Sequence, residues 1–149
     1  MPTARRMSPR RARAFTLVEI LIVVVILGVL AAIVVPQFAN ATQESTQTTT
    51  RHELEKLRRA VGVFQVRHAN TLPPVVEGHG TWGDLVERGE YLGEPPANPW
   101  VGGDNRLYVI VSDQPDAAYQ RDHAWIFDDQ SGDVWAGGFD ANDNPLPKP

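Results

Sequence analysis

The sequence predicts an α+β chain: one long N-terminal helix, apolar in its first half, whose second half packs on a small C-terminal antiparallel β-sheet. Three observations carry this. Residues 15–35 are almost wholly apolar. Residues 51–68 place Leu54, Leu57, Val61, Phe64 and His68 three or four apart, with Ala60 beside them, which is the spacing of one helical face. The last 80 residues are punctuated by Gly, Pro and Asn and hold only short β-prone runs.

The chain opens with a basic segment. Residues 1–14 contain Arg5, Arg6, Arg10, Arg11 and Arg13 and no acid, and without these five arginines the formal charge falls from −4 to −9. The 21 residues 15–35 follow. At 1.5 Å per residue they form about 31 Å of helix, close to the hydrocarbon thickness of a bilayer. Flanking arginines stay on the cytoplasmic side, so the C-terminal part faces outward. Glu19 interrupts this run near its start. An acidic side chain at bilayer depth costs about 2.5–3.5 kcal/mol on insertion scales, which marks it as a functional candidate that needs a partner.

Pro36 closes the run. It removes a helical hydrogen bond and clashes with the preceding turn, so a kink, or a helix end at the membrane surface, is expected there. Residues 40–50 are polar and Thr-rich and read as a linker on composition alone, yet the amphipathic pattern resumes at once. One helix over 15–69, weakened near Pro36 and through the threonines, accounts for both. Glu55 and Arg59 form a favourable i, i+4 pair on its polar side.

Asn70-Thr71-Leu72-Pro73-Pro74 ends the helix. Residues 81–89 read as a short helix stopped by Gly89, and 91–100 as an ordered irregular loop. Strands are predicted at 106–111, 123–127 and 134–136, with Asp129-Gln130-Ser131-Gly132 as the turn of a hairpin. Three such short strands need the helix's apolar face to bury enough surface. The organisation is therefore a basic leader (1–14), an apolar helix (15–36), its amphipathic continuation (37–69) and a small head (70–149).

The string Arg13-Ala14-Phe15-Thr16-Leu17-Val18-Glu19, followed by Ile20-Leu21-Ile22-Val23-Val24-Val25, resembles the processing site of type IV pilins and of the major pseudopilins of type II secretion. The resemblance implies a pilin-like fold, cleavage between Ala14 and Phe15 by a membrane prepilin peptidase, N-methylation of Phe15, and Glu19 as the carboxylate that governs filament assembly. Ala14 departs from the Gly usual before the cut. Asn98-Pro99-Trp100 with Leu107-Tyr108-Val109 resembles the Asp-Pro-Trp-Gly…Tyr segment of the major pseudopilins, with Asn98 and Val101 in place of Asp and Gly. The implied partners are further copies of the chain, other pseudopilins, the peptidase, an inner-membrane assembly platform, and lipid before assembly. The implied location is the bacterial inner membrane with a periplasmic C-terminal domain, then a periplasmic filament. A type IV pilus subunit shares this architecture. Two other readings are a secretory signal peptide cut after Ala41 and an anchored periplasmic binding domain that never polymerises.

The chain has no cysteine, so no disulfide can staple its tail. In the resembled family a calcium ion can serve that purpose. Asp140, Asn142 and Asn144 alternate like the early ligands of a calcium loop, and Asp143, Asp133 and Asp128 offer further oxygens, but no Glu follows at EF-hand spacing. A solvated acidic turn is the alternative. From residue 77 onward there are 14 acids and 4 bases, which favours a cation and equally favours solubility.

No enzyme is expected. His52, His68, His79 and His123 show no metal-ligand spacing, and neighbouring Asp128 and Asp129 on a strand point to opposite faces. Nucleic acid is not an expected partner either, because a body at −9 repels phosphate and Arg58-Arg59 is the one basic pair it offers.

Overall fold

The structure is a computed structural model, and it describes residues 15–149. The basic leader and Ala14 lie outside the described residues. The described residues fall into two compact units, one ending at Asn40 and the other beginning at Ala41.

A single α-helix, α1 (Leu17–Arg67), runs unbroken through Pro36 and through the Thr-rich tract. It therefore neither ends at Pro36 nor opens into a linker. Residues 17–38 of α1 expose every large apolar side chain they carry. This part is long and apolar enough to cross a membrane. Apolar exposure on that scale needs lipid or protein to cover it.

The C-terminal half of α1 behaves differently. Leu54, Leu57, Val61 and Phe64 are buried on its predicted apolar face, with Ala60 beside them. The helix ends as its breakers predict: Asn70 takes φ 66° and its N–H donates to Gln65 O at 2.8 Å. That left-handed residue closes the last turn.

The head carries β1 (Gly78–His79), α2 (Asp84–Glu87), β2 (Tyr108–Val111), β3 (Trp125–Phe127) and β4 (Val134–Ala136). The sheet has four strands in the order β1-β2-β3-β4, and it is mixed rather than antiparallel as expected. β1–β2 and β3–β4 are antiparallel, but β2–β3 is parallel, with Val109 opposite Trp125 and Val111 opposite Phe127. Residues 112–124 carry the chain back to the starting end of β2 before β3 begins, and a crossover of about a dozen residues is what a parallel pair requires. The expected beginning of β2 is instead a 3₁₀ turn, Asp104–Leu107.

The core joins the helix face to Trp82, Leu85, Val109, Trp125, Phe127, Val134 and Phe139. Two glycines permit close approaches. Gly83 takes φ 53°, and a Cβ there would lie 2.6 Å from Pro74 O. Gly132 takes φ 82° in the β3–β4 turn, where a Cβ would lie 2.5 Å from Leu72 Cδ2.

Candidate assembly site at the head of the helix

Thr16 and Glu19 form a reciprocal cap on the first turn of α1. Glu19 N donates to Thr16 Oγ1 at 3.2 Å, while Thr16 N and Thr16 Oγ1 donate to Glu19 Oε2 at 2.9 and 3.0 Å. This is the capping-box arrangement, which satisfies amide donors that a helix start leaves open. Both bonds to the carboxylate end on Oε2, so Oε1 accepts no hydrogen bond among the described residues. Phe15 is three-quarters exposed beside it. The carboxylate thus caps its own helix through one oxygen. Thr16 is the capping partner that attention to Glu19 alone overlooks, although Thr-x-x-Glu is a legible capping signal.

The six oxygen-bearing residues considered for calcium fall into separate turns. Asp128 and Asp133 sit in the β3–β4 turn, where Ser131 Oγ lies 2.7 and 2.9 Å from their carboxylates. Asp140 lies in the tail and accepts from Asn142 N, Asn144 N and Asn144 Nδ2 at 2.8, 2.9 and 3.1 Å. Both Asp128 and Asp140 are held below the ordinary carboxyl range, chiefly by the backbone N–H bonds of Gln130 and Asn144 respectively. Asp143 pairs with Arg58 through two contacts, Nη1–Oδ2 at 2.6 Å and Nη2–Oδ1 at 3.0 Å. Among the described residues no group of three or more His, Cys, Asp or Glu side chains converges to hold a metal. With Asp143 taken by a guanidinium and Asp140 turned to N–H donors, this donor set does not fit a calcium shell.

The tail is tied down by other means. Arg58 Nε donates to Val134 O at 3.0 Å and Arg51 Nε to Asp143 O at 3.1 Å. Lys148 Nζ sits 3.9 Å over the Trp100 ring, a cation–π contact. Asn98 is fully buried at the centre of this region. Its Nδ2 donates to Ala124 O at 2.8 Å and Gly137 O at 3.0 Å, and its Oδ1 accepts from Trp100 N at 2.9 Å and Val101 N at 3.2 Å. Thr50 Oγ1 of α1 lies 3.0 Å from the same oxygen. One side chain therefore joins helix, loop, sheet and tail.

The histidines stand apart. His52 is exposed on α1, and His68 stacks on Phe64 with its Nδ1 3.0 Å from Phe64 O. His79 meets the Tyr108 ring edge-on. His123 Nε2 lies 3.0 Å from Asp116 Oδ1, and Asp116 Oδ2 accepts from Gly138 N at 2.7 Å.

Residues 9–35 match the prokaryotic N-terminal methylation motif. The chain is 29% identical to type II secretion system core protein G of Escherichia coli, over 73% of this chain and 78% of that protein. It is 30% identical to the type IV narrow pilus major component PilA5 of Thermus thermophilus, over 71% of this chain and 84% of that protein. It is 31% identical to the core protein G of Klebsiella pneumoniae, over 66% of this chain and 75% of that protein. No solved structure gives a significant match. An exposed apolar helix that opens on a capped Glu and leads into a small α+β head is the architecture of a pilin-type subunit, a structural class of protein. The chain belongs to the type IV pilin-like family, which takes in the major pseudopilins of type II secretion.

Proposed function

We propose that this chain is a structural subunit of a type II secretion pseudopilus. A prepilin peptidase cuts between Ala14 and Phe15, and Phe15 is N-methylated. The subunit then waits in the inner membrane, with 15–36 in lipid and its head in the periplasm. Assembly carries it into a filament with further copies and other pseudopilins, on an inner-membrane platform. The observation that carries this reading is the half-engaged carboxylate of Glu19 at the start of an exposed apolar helical run. Its Oε1 would accept the Phe15 ammonium of a neighbouring subunit. A charge paired in an apolar bundle costs far less than a bare one, so the pairing sets axial register as well as affinity. Pro36 gives the helix a point at which it can bend as the subunit leaves the bilayer.

A second reading, a type IV pilus subunit, is supported by the likeness to the Thermus pilin over 71% of this chain. An anchored periplasmic domain that never polymerises is the remaining alternative. Intact mass and N-terminal sequence of the protein from its native host's membranes test the processing. The expected chain starts at methylated Phe15. A start at Thr42 would show a secretory signal peptide, and an uncut Met1 a plain anchor. Glu19→Val tests assembly: the subunit is expected to stay inserted and to lose its filaments, and unaltered filaments would sink the role of Glu19.

A further inference from the structure

The head has two differently charged flanks, one on either side of α1. Arg51 and Arg58, seven residues apart, face β4 and the tail, where Asp143 neutralises Arg58. At 100° per residue, Lys56, Arg59, Val63 and Arg67 share another flank. With Tyr91 and Leu92 they line a groove of about 250 Å³. Its floor is apolar: Leu92 is buried, and Val63 is 41% exposed. Its rim is cationic. Lys56 pairs with Glu53 at 2.8 Å and Arg67 lies over the Tyr91 ring. Among the described residues neither Arg59 nor Arg67 pairs with a carboxylate, so the i, i+4 pair expected between Glu55 and Arg59 is not formed, although Glu90 also lines the rim.

The opposite charge stands on the β3–β4 turn. Asp128, Asp129 and Asp133 fall within six residues, and none pairs with a cation among the described residues. The turn is ordered from within. Asp128 N donates to Asp133 O and Gly132 N to Asp128 O, both at 2.9 Å, and Ser131 Oγ bridges the two outer carboxylates. Gly132 packs toward Leu72, Gln65 and Val61, on the Arg58 side of the helix and away from the groove.

We propose that the groove at Arg59 receives the β3–β4 turn of a second copy of this chain, so that heads stack side to side along the filament. This rests on the filament reading above and names the head surfaces that filament would use. The two complementary patches lie on different flanks, so the contact is heterologous and propagates rather than closing as a dimer. The acids nearer the groove, such as Glu90, would instead bring groove to groove and close a symmetric pair. Charge complementarity fixes which faces meet. The contact can be small, because membrane helices already hold neighbouring copies at high effective concentration.

The chain has no cysteine, so two can be placed at will. Filaments sheared from native-host cells that carry Arg59→Cys together with Asp129→Cys are treated with a short bismaleimide and resolved on a denaturing gel. A ladder of dimers, trimers and higher species is expected, with monomer alone from either single substitution. Filaments without a ladder overturn the assigned contact and leave the filament reading standing. A dimer from Arg59→Cys alone overturns it in favour of a groove-to-groove pair. Absence of filaments from the unsubstituted chain overturns both readings. A charge swap guards against substitutions that themselves stop assembly. Arg59→Glu is expected to lower the sedimenting fraction severalfold and Asp129→Arg in the same chain to restore it; failure to restore it overturns the contact.

Discussion

Asn98 shows how one atom's identity decides a fold. Its amide nitrogen faces two backbone carbonyls, Ala124 O and Gly137 O, and its oxygen faces two backbone N–H groups. An aspartate would keep the second set and turn an oxygen toward the first. Asn98→Asp is therefore expected to destabilise the head by about 3 kcal/mol, the upper end for a buried unsatisfied polar group. Thermal unfolding of the full chain in detergent checks it; a Tm equal to the unsubstituted chain's would refute the donor role. The resembled pseudopilin segment carries Asp here, so this cradle suits an amide in a way that the sequence comparison alone did not reveal. The partners of its amide nitrogen lie 26 and 39 positions away, beyond any local pattern. Asp116 is a second such centre. Burial pushes its carboxyl up, but bonds from His123, Gly138 N and Gln120 outweigh that and hold it below the ordinary range. A carboxyl depressed in the folded state stabilises above its unfolded pKa, and that contribution is lost as pH falls through the folded value. The Tm of the unsubstituted chain should therefore fall more steeply between about pH 5 and pH 3 than that of Asp116→Asn. Parallel curves would remove Asp116 from the acid response.

At the scale of elements, the tail from Phe139 to Lys148 is held by cationic side chains. Arg58 meets Asp143 through two contacts and also donates to Val134 O, while Arg51 donates to Asp143 O and Lys148 covers Trp100. Arg58→Gln is expected to cost about 1 kcal/mol, because the pair is partly exposed and its geometry is bidentate. Calcium in large excess is expected to leave the Tm where EDTA leaves it. An ion bound at 100 times its Kd would add about 2.7 kcal/mol, so a clear rise with calcium would reject the arginine lock. The sequence makes the tail's acids plain but not their partners, since Arg58 and Asp143 are 85 positions apart. The same distance effect separates the readable elements from the unreadable ones. Helix α1 follows from a 3.6-residue period sustained through Leu54, Leu57, Val61 and Phe64, which no single poor helix former can erase. The β3–β4 hairpin follows from a local turn at 129–132. β1 has two residues and no periodicity to detect. The parallel pairing of β2 with β3 depends on where residues 112–124 return the chain, and nothing in their composition states it.

At the scale of the whole molecule, burial among the described residues begins at Thr50, and the core residues all lie in the unit that starts at Ala41. The residues of α1 from Leu17 to Val35 are exposed. Their exposed surface is an obligation to lipid or to neighbouring copies, not a contribution to the head's stability. The sequence shows this partition at once, because the apolar run and the amphipathic run have different periodicity. It leaves open whether the head needs the apolar half in order to fold. The core residues all fall from Thr50 onward, which predicts that it does not. A fragment of residues 41–149 is expected to be soluble without detergent, to sediment as a monomer, and to unfold in one cooperative transition within a few degrees of the full chain's. Full-length chain with an intact Glu19 should form filaments under conditions where the fragment forms none, because the fragment keeps the head surfaces and lacks the helix that concentrates them. A fragment that is molten, or one that polymerises by itself, would contradict this division of labour: the first would make the apolar helix part of the fold, and the second would move the driving force for assembly into the head.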